Sequence, residues 1–501
     1  MSIIRKNIIA NFIGYGWAGG MNLLFVPLYL HFLGVEAYGL IGIFALLQSM
    51  VSLLDFGLSA TVNRELAQLS AAEDGERDMG DLLSTLEIVY WMVAVCIGAL
   101  LALIAPLITR YWIHPVSISP SNVTRALMLM GGSMALQWPV SFYSGAMMGL
   151  QKQVRLNVIN IGISTLRTGG TVLALWWIAP TVQVFFTWQI VVSAIHSLWI
   201  SRSLWSCIPT VAQPKGLRFH VRVFSRIWRF AIGMSAISLT VVILTQEDKF
   251  ILSKWLSLES FGYYMLASTI AVALNSVILP VTIAIYPKLN QFVASGNEKE
   301  LRSFYHQSCQ TMAVLIMPIA FTIVFFSWDM IVLWLGDTTI ADRVCQVASV
   351  MVLGTALNGM FTLPYNLQLA HGWTRLCLSM NVIFIILLCP LLILLASWKG
   401  PLGGAIVWLA LNAGYIAVGI PLMHRKLLSN EMKSWYISDF LIPTSVAAAV
   451  NGFGKFLLPK GGPWLIQGGY ILVVFVVGMG LTALSTPFFL EKAKRLAGLE
   501  R

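Results

Sequence analysis

Asp55, Arg167 and the run Gln246-Glu247-Asp248-Lys249 place charge inside segments that are otherwise apolar. In hydrocarbon a charged side chain costs about 2.5–3.5 kcal/mol on insertion scales, so each needs a partner, a cavity or a route to water. A carboxylate so placed can take up a proton or hold a cation, and a guanidinium can hold an anion. Nine residues separate Asp55 from Arg64, ~13 Å at helical rise, and twelve separate Arg167 from Arg155, ~18 Å. Both side chains are therefore predicted to lie well inside a bilayer, and Arg167 is the deepest cation of the chain. The plain structural alternative is that the two form a buried ion pair. In the 246–249 run successive residues point ~100° apart, so they cannot all face one way; Asp248 is expected to face a cavity and Lys249 to reach outward. His31, near the end of the first apolar run, reads as an interfacial histidine rather than a proton relay.

The elements that hold these residues are membrane helices. The chain is 58% hydrophobic and only 11% charged, against about 25% charged for a soluble domain. Stretches 261–287, 303–328 and 376–398 carry no Asp, Glu, Lys or Arg, and each is longer than the ~20 residues that cross a bilayer. The short alternating segments of a β-barrel are missing. The apolar stretch 8–33 is longer than a secretory h-region and reads as a first transmembrane helix. Fourteen spans are predicted: 8–33, 38–64, 85–111, 122–149, 156–179, 182–205, 229–256, 261–287, 304–328, 343–370, 377–397, 403–424, 439–458 and 465–489. Tryptophans such as Trp112, Trp176, Trp398 and Trp464 stand at span ends, as an interfacial belt requires.

Charge sets the orientation. With the N-terminus inside, 23 of the 32 Lys and Arg fall in inside segments and 7 in outside ones. The positive-inside rule then puts both termini in the cytoplasm. The net charge of +11 is explained by contact with anionic lipid, without nucleic acid. The six cysteines include no CxxC pair, lie mostly in apolar runs and read as packing residues, so neither a metal nor another cofactor is expected.

The chain also repeats. Val35-Glu36-Ala37-Tyr38-Gly39-Leu40 resembles Leu258-Glu259-Ser260-Phe261-Gly262-Tyr263 at an offset of 223 residues. Gly149 falls opposite Gly372, and Trp112 opposite Leu335, in the same register. Matches at equivalent points of the topology argue for duplication. The expected organisation is a six-helix bundle at 1–206, a basic connector at 207–228, a second six-helix bundle at 229–424, and two further helices with a cytoplasmic tail at 425–501. Six helices is an even number, so the bundles would be parallel repeats with binding between them, near the midplane, where Asp55, Arg167 and Asp248 would converge. In the connector, Arg218, Arg222, Arg226 and Arg229 share one helical face and Leu217, Val221, Phe224 and Trp228 another. That pattern suits an amphipathic helix on the membrane surface.

Enzyme motifs are missing. Gly14-Tyr15-Gly16-Trp17-Ala18-Gly19 matches GxGxxG but follows no strand, and no GxxxxGK[ST], GxSxG or HExxH occurs. Gly16 with Gly20, and Gly145 with Gly149, suit helix-packing faces instead. The outer loops are too short for a membrane glycan polymerase or ligase, so the chain is not expected to be an enzyme.

Leu53-Leu54-Asp55-Phe56-Gly57-Leu58 with Asn63-Arg64, the Tyr38-Gly39 turn, Asp248 before Phe261-Gly262-Tyr263, and Leu333-Trp334-Leu335-Gly336 resemble the polysaccharide transporters related to the Wzx O-antigen flippases. These belong to the multidrug/oligosaccharidyl-lipid/polysaccharide exporter superfamily. The resemblance implies an all-α inner-membrane protein that moves undecaprenyl-diphosphate-linked oligosaccharide to the periplasmic leaflet by alternating access coupled to H+ or Na+. It implies a monomer working beside glycan polymerases. It makes Arg167, Arg64 and Lys249 the candidates for the anionic substrate, and Asp55, Asp248 and Glu247 for the coupling ion. Relatives often carry Arg near the end of the first helix, where this chain has His31. A drug or cation exporter of the same superfamily is the alternative reading.

Overall fold

Backbone N–H and C=O groups cannot be left unpaired in hydrocarbon, so spanning segments pair them internally as helices. The computed structural model, which describes residues 3–70, 75–208, 219–221, 242–458 and 463–496, follows that rule: 90% is helical and no strand occurs among the described residues. Among the described residues ten helices are long and apolar enough to cross a membrane, and the protein is a multi-pass membrane protein. It divides into two compact units, Met1–Gly262 and Tyr263–Arg501.

The first unit contains α1 (Ile3–Ser52), α2 (Leu58–Leu69), α3 (Gly75–Tyr111), α4 (Pro120–Gln137), α5 (Pro139–Gly149), α6 (Gln153–Trp177), α7 (Val182–Trp205) and α8, helical over 242–255. Side chains set several of the starts. Ser119 and Thr181 accept from Asn122 N and Val184 N, and Pro120 opens α4 at a position where its missing N–H costs nothing. The basic connector lies outside the described residues except for 207–208 and 219–221. There, His220 N donates to Thr85 Oγ1 at 3.1 Å.

Four predicted features are corrected. The first two spans are limbs of one helix, α1, separated only by Gly34 at φ 79°. The second span does not run to Arg64. It ends at Ser52, passes through a tight turn at Leu53–Asp55 and two left-handed residues, Phe56 and Gly57, and restarts as α2. The fourth span is interrupted at Trp138, where Pro139 begins α5. Among the described residues Gly16 and Gly20 meet nothing within 4 Å and pack against no other helix. Gly145 and Gly149 do, lying against the Ser59 and Asn63 carbonyls of α2.

The repeated motif has a structural counterpart. Gly39 sits against the carbonyl of Leu258, and Gly262 against the carbonyl of Val35. Each glycine thus meets the first residue of the other copy, an approach that a Cβ would block. Nearby, α8 is anchored by Trp112, whose Nε1 donates to Ser253 Oγ at 2.9 Å and whose ring meets Phe250 edge-on at 4.5 Å.

The second unit continues through α9 (Leu258–Ala273, which begins in the first unit), α10 (Asn275–Ser295), α11 (Glu298–Leu335), α12 (Thr338–Ala370), α13 (Arg375–Lys399), α14 (Pro401–Gly414) and α15 (Ile420–Leu427). It closes with α16 (Met432–Ser434), a π-helical turn at Trp435–Leu441, α17 (Ile442–Phe456), α18 (Trp464–Ser485) and α19 (Pro487–Leu496). Here the π-helical turn and α17 are together tied to α11 at three levels. Asp439 meets His306 and accepts from Gln310 at 2.8 Å; Thr322 donates to Asn451 at 2.8 Å; Lys455 pairs with the buried Asp329.

These packing differences set an expectation. A Cβ on Gly149 would lie 2.5 Å from Asn63 O, a backbone atom with little room to yield. Gly149→Ala should therefore destabilise the protein by about 1–3 kcal/mol, read as a lower unfolding midpoint in detergent. Gly16→Ala, which meets open space, should leave the midpoint unchanged.

Candidate functional site

The motif around Asp55 is a helix break. Phe56 (φ 45°, ψ 26°) and Gly57 (φ 74°, ψ 15°) are both left-handed. Glycine adopts this conformation freely, whereas Phe56 bears a cost of about 1–2 kcal/mol. Such strain tends to collect at functional sites. The break also frees backbone carbonyls, and Trp138 Nε1 donates to one of them, Val51 O, at 3.3 Å.

Asp55 sits within the break, ahead of its two left-handed residues and the first turn of α2. Its Oδ2 accepts from Ser59 Oγ at 2.7 Å and Ser59 N at 3.3 Å. Its Oδ1 accepts from Tyr90 Oη at 2.5 Å and Ser141 Oγ at 3.3 Å. The donors come from α2, α3 and α5, and all are neutral. Tyr90 is fully buried, with its ring on Trp138 at 4.6 Å and Phe142 at 5.1 Å, so its hydroxyl is held on the carboxylate. A cavity of about 430 Å³ opens beside Asp55, lined also by Gln48, Ser52, Ser59, Gln137, Ser141 and Ser144.

Arg167 comes to this cavity through one of its walls. From α6 its Nη2 donates to Gln137 Oε1 at 2.8 Å and its Nη1 to Gln189 Oε1 at 3.3 Å. Gln189 in turn donates to Thr171 Oγ1 at 3.1 Å. Among the described residues no carboxylate pairs with Arg167, so it is not the partner of Asp55. The other side of Gln137 faces a residue the sequence did not single out: Gln137 Nε2 lies 3.3 Å from Nδ1 of His196 on α7.

The remaining candidates lie elsewhere. Asp248 is buried and pairs with Lys249 at 3.4 Å; Lys249 Nζ also donates to Thr245 O at 3.1 Å. Lys249 is therefore turned into the protein and does not reach outward. Glu247 keeps one buried oxygen without a hydrogen-bond partner. None of the three lines the Asp55 cavity. Arg64 is exposed on α2, and His31 is exposed with its ring edge-on to Phe32.

Sequence reasoning missed Glu87. It is buried on α3 and accepts from Tyr143 Oη at 2.5 Å and Trp205 Nε1 at 3.2 Å. The available signal was that it is the one acid between Asp81 and Tyr111.

The cradle around Asp55 makes a distinction that unfolding can read. Asp55→Leu leaves the Ser59 and Tyr90 hydroxyls without their acceptor, while Ser141 keeps Trp138 O at 3.0 Å, and should cost about 1–3 kcal/mol. Asp55→Asn keeps an acceptor for Tyr90 and should cost less. Equal unfolding midpoints for the two variants in detergent would mean that the cradle does not hold the fold.

Comparison with known proteins fits this architecture. Residues 4–293 match the model of the family described as "Polysaccharide biosynthesis protein". A Shigella flexneri protein named as an O-antigen transporter is 21% identical over 415 residues, 81% of this chain and 94% of its own. Among solved structures, the lipid II flippase MurJ in an inward closed conformation superposes with a TM-score of 0.69 at 15% identity, covering 96% of this chain and 98% of that one. An inward-facing multidrug MATE transporter of the MOP superfamily gives 0.69 at 13% identity, covering 84% and 96%. The fold is that of MOP-type transporters, and the chain, matched over more than half its length, belongs to the polysaccharide biosynthesis protein family.

Proposed function

We propose that this protein is a flippase carrying polyprenyl-diphosphate-linked oligosaccharide from the cytoplasmic to the outer leaflet of the bacterial inner membrane. The carrying observation is Arg167, a cation deep in the bundle held by two neutral amides. A buried charge without a counter-ion is costly to maintain, and a diphosphate supplies both the charge and the paired oxygens that a guanidinium fork binds. Arg64, on the exposed face of α2, and Lys249 are secondary contacts for the anionic substrate. Asp55 is the first candidate for the coupling H+ or Na+, with Asp248 and Glu247 as a separate carboxylate group on α8. Relatives in the family and the shared fold support the transport class.

The same reading counts fourteen spans. Taking the limbs of α1 separately, and adding α4 with α5, the helix containing α8 and the one around 439–458, extends the ten long apolar helices to fourteen. Both termini are then cytoplasmic, and 425–501 is an addition to a duplicated 1–206 and 229–424 core. Asp55 in a cavity wall favours the second reading, a cation exporter, because a carboxylate attracts cationic ligands.

A complementation assay separates the two. In cells lacking this gene, Arg167→Ala should fail to restore surface polysaccharide while reaching the membrane at normal level, and Arg167→Lys should restore it in part. Full restoration by Arg167→Ala removes Arg167 from the mechanism. Raised resistance to cationic dyes on expression, with no effect on polysaccharide, supports the exporter.

A further inference from the structure

Gln137 is held between two groups with opposite demands. A guanidinium has only donors, so the atom facing Arg167 at 2.8 Å must be the amide oxygen. That places the amide NH2 toward Nδ1 of His196, at 3.3 Å. An NH2 group can only donate, so Nδ1 must offer its lone pair. His196 is then neutral, with its proton on Nε2. Nε2 is buried without a hydrogen-bond partner, and the residue is 5% exposed.

Protonating His196 at Nδ1 sets donor against donor. The amide resolves this by turning half a circle about its Cγ–Cδ bond, giving Oε1 to the imidazolium. Its NH2 then faces Arg167, which cannot accept. Arg167 keeps only Gln189 and loses its better acceptor, so its Nη2 is free for another. A phosphate oxygen entering from the cavity that Gln137 lines would fill that place. Charge acts in the same direction. Imidazolium and guanidinium repel, and a dianionic ligand between them removes the repulsion.

We propose that Gln137 is an amide toggle that links protonation of His196 to anion binding at Arg167, so that each favours the other. The proposal rests on the reading of Arg167 as the diphosphate site and names the proton acceptor that accompanies it. The proton comes from the aqueous cavity and rests on Nδ1; no other bond is made or broken. The titratable and charged groups nearest His196 on the elements around α7 are Arg167 from α6, Tyr29 of α1, whose ring meets Phe185 of α7 edge-on at 5.5 Å, Tyr143 from α5, and Glu87 of α3, which contacts α7 at Ser201 (3.4 Å) and Trp205 (3.2 Å), closer to its C-terminal end than His196. From α4 the side chains at hand are uncharged: Gln137, and Ser133, 3.1 Å from Ser193. Asp55 lies across the cavity within its hydroxyl cradle. Linkage is reciprocal: the factor by which the proton tightens anion binding is the factor by which the anion tightens proton binding.

The test uses the full chain in nanodiscs and a prenyl-diphosphate-linked N-acetylglucosamine. Both phosphates of this probe are substituted, so its charge does not change over the range used. Calorimetric titration is run between about pH 4 and pH 8, wide enough to bracket the charging of a buried histidine. Wild-type affinity should be about fivefold or more higher at the acid end, with net proton uptake revealed by buffers of different ionisation enthalpy. The pH dependence should vanish in His196→Phe (or His196→Asn, if the aromatic variant does not fold) and in Gln137→Met. Wild-type affinity equal across the range, with binding abolished by Arg167→Ala, overturns the toggle and leaves the anion site standing. PH dependence that survives in Gln137→Met or in the His196 variants also overturns it. Binding that Arg167→Ala leaves unchanged overturns the diphosphate reading, and the toggle with it.

Discussion

Hydrocarbon offers no hydrogen bonds, so every buried polar group must be answered by the protein or by what the protein binds. Most of this chain obeys by short-range means. Serines and threonines return their hydroxyls to the carbonyl four residues back, as Thr61, Ser84, Thr109 and Thr168 do. Lys249 is settled as locally, by Asp248 and Thr245 O, but the partners of other buried charges reach between helices. Glu36 gathers the backbone N–H groups of Val116, Ser117 and Ile118, fixing the loop that leads into α4. Asp329 takes Lys455, and Glu87 takes Tyr143 and Trp205. Arg167 is the deeply buried cation of this set: like Asp55 and Glu87 it has neutral partners, here two amide oxygens, and a neutral amide does not cancel a charge. The anion proposed above would cancel it.

The break at Leu53–Gly57 answers the same constraint for a carboxylate. A continuous α-helix would carry Asp55 on a fixed face with its backbone amides already spent. Breaking it places the side chain just before the α2 N-terminus, where Ser59 N is available and the helix dipole favours negative charge. The cost is one strained phenylalanine and freed carbonyls, partly offset by the Trp138 indole. The turn at Trp138–Pro139 serves this end too, since it presents Trp138 to Val51 and Ser141 to Asp55. Two interruptions, in separate spans, thus assemble one cradle.

Much of this was legible in the sequence. Apolar length gave the helices, because the bilayer imposes a length that composition reveals. The intramembrane charges pointed to Asp55 and Arg167, because their cost is independent of the fold. The break was not legible: Leu53 to Leu58 is apolar except for Asp55, and hydropathy does not register φ. Nor was the orientation of Lys249, since spacing along one helix cannot say that Thr245 O and Asp248 will hold the ammonium. His196 and Gln137 escaped because neutral polar residues give little signal until their neighbours are known. Glu87 escaped although it was visible, because it stands near the end of its span, where charge is cheap.

The reciprocal contact of Gly39 and Gly262 bears on where function lies. Two copies of a motif that pack each against the first residue of the other fit the duplication proposed above. The register does not carry the charges with it. Moving 223 residues on, Asp55 becomes Ile278, Gln137 becomes Met360, Arg167 becomes Pro390 and His196 becomes Gly419. The scaffold repeats while the site does not. The second unit spends its buried charge differently, on the Asp439–His306 and Asp329–Lys455 ties that fasten the π-helical turn and α17 to α11. An interaction needed only for architecture should recur wherever the architecture recurs, as the glycine contact does. Asp55, Gln137, Arg167 and His196 occur in one copy, which is the pattern that the proposed role in transport, rather than one in the architecture, would leave.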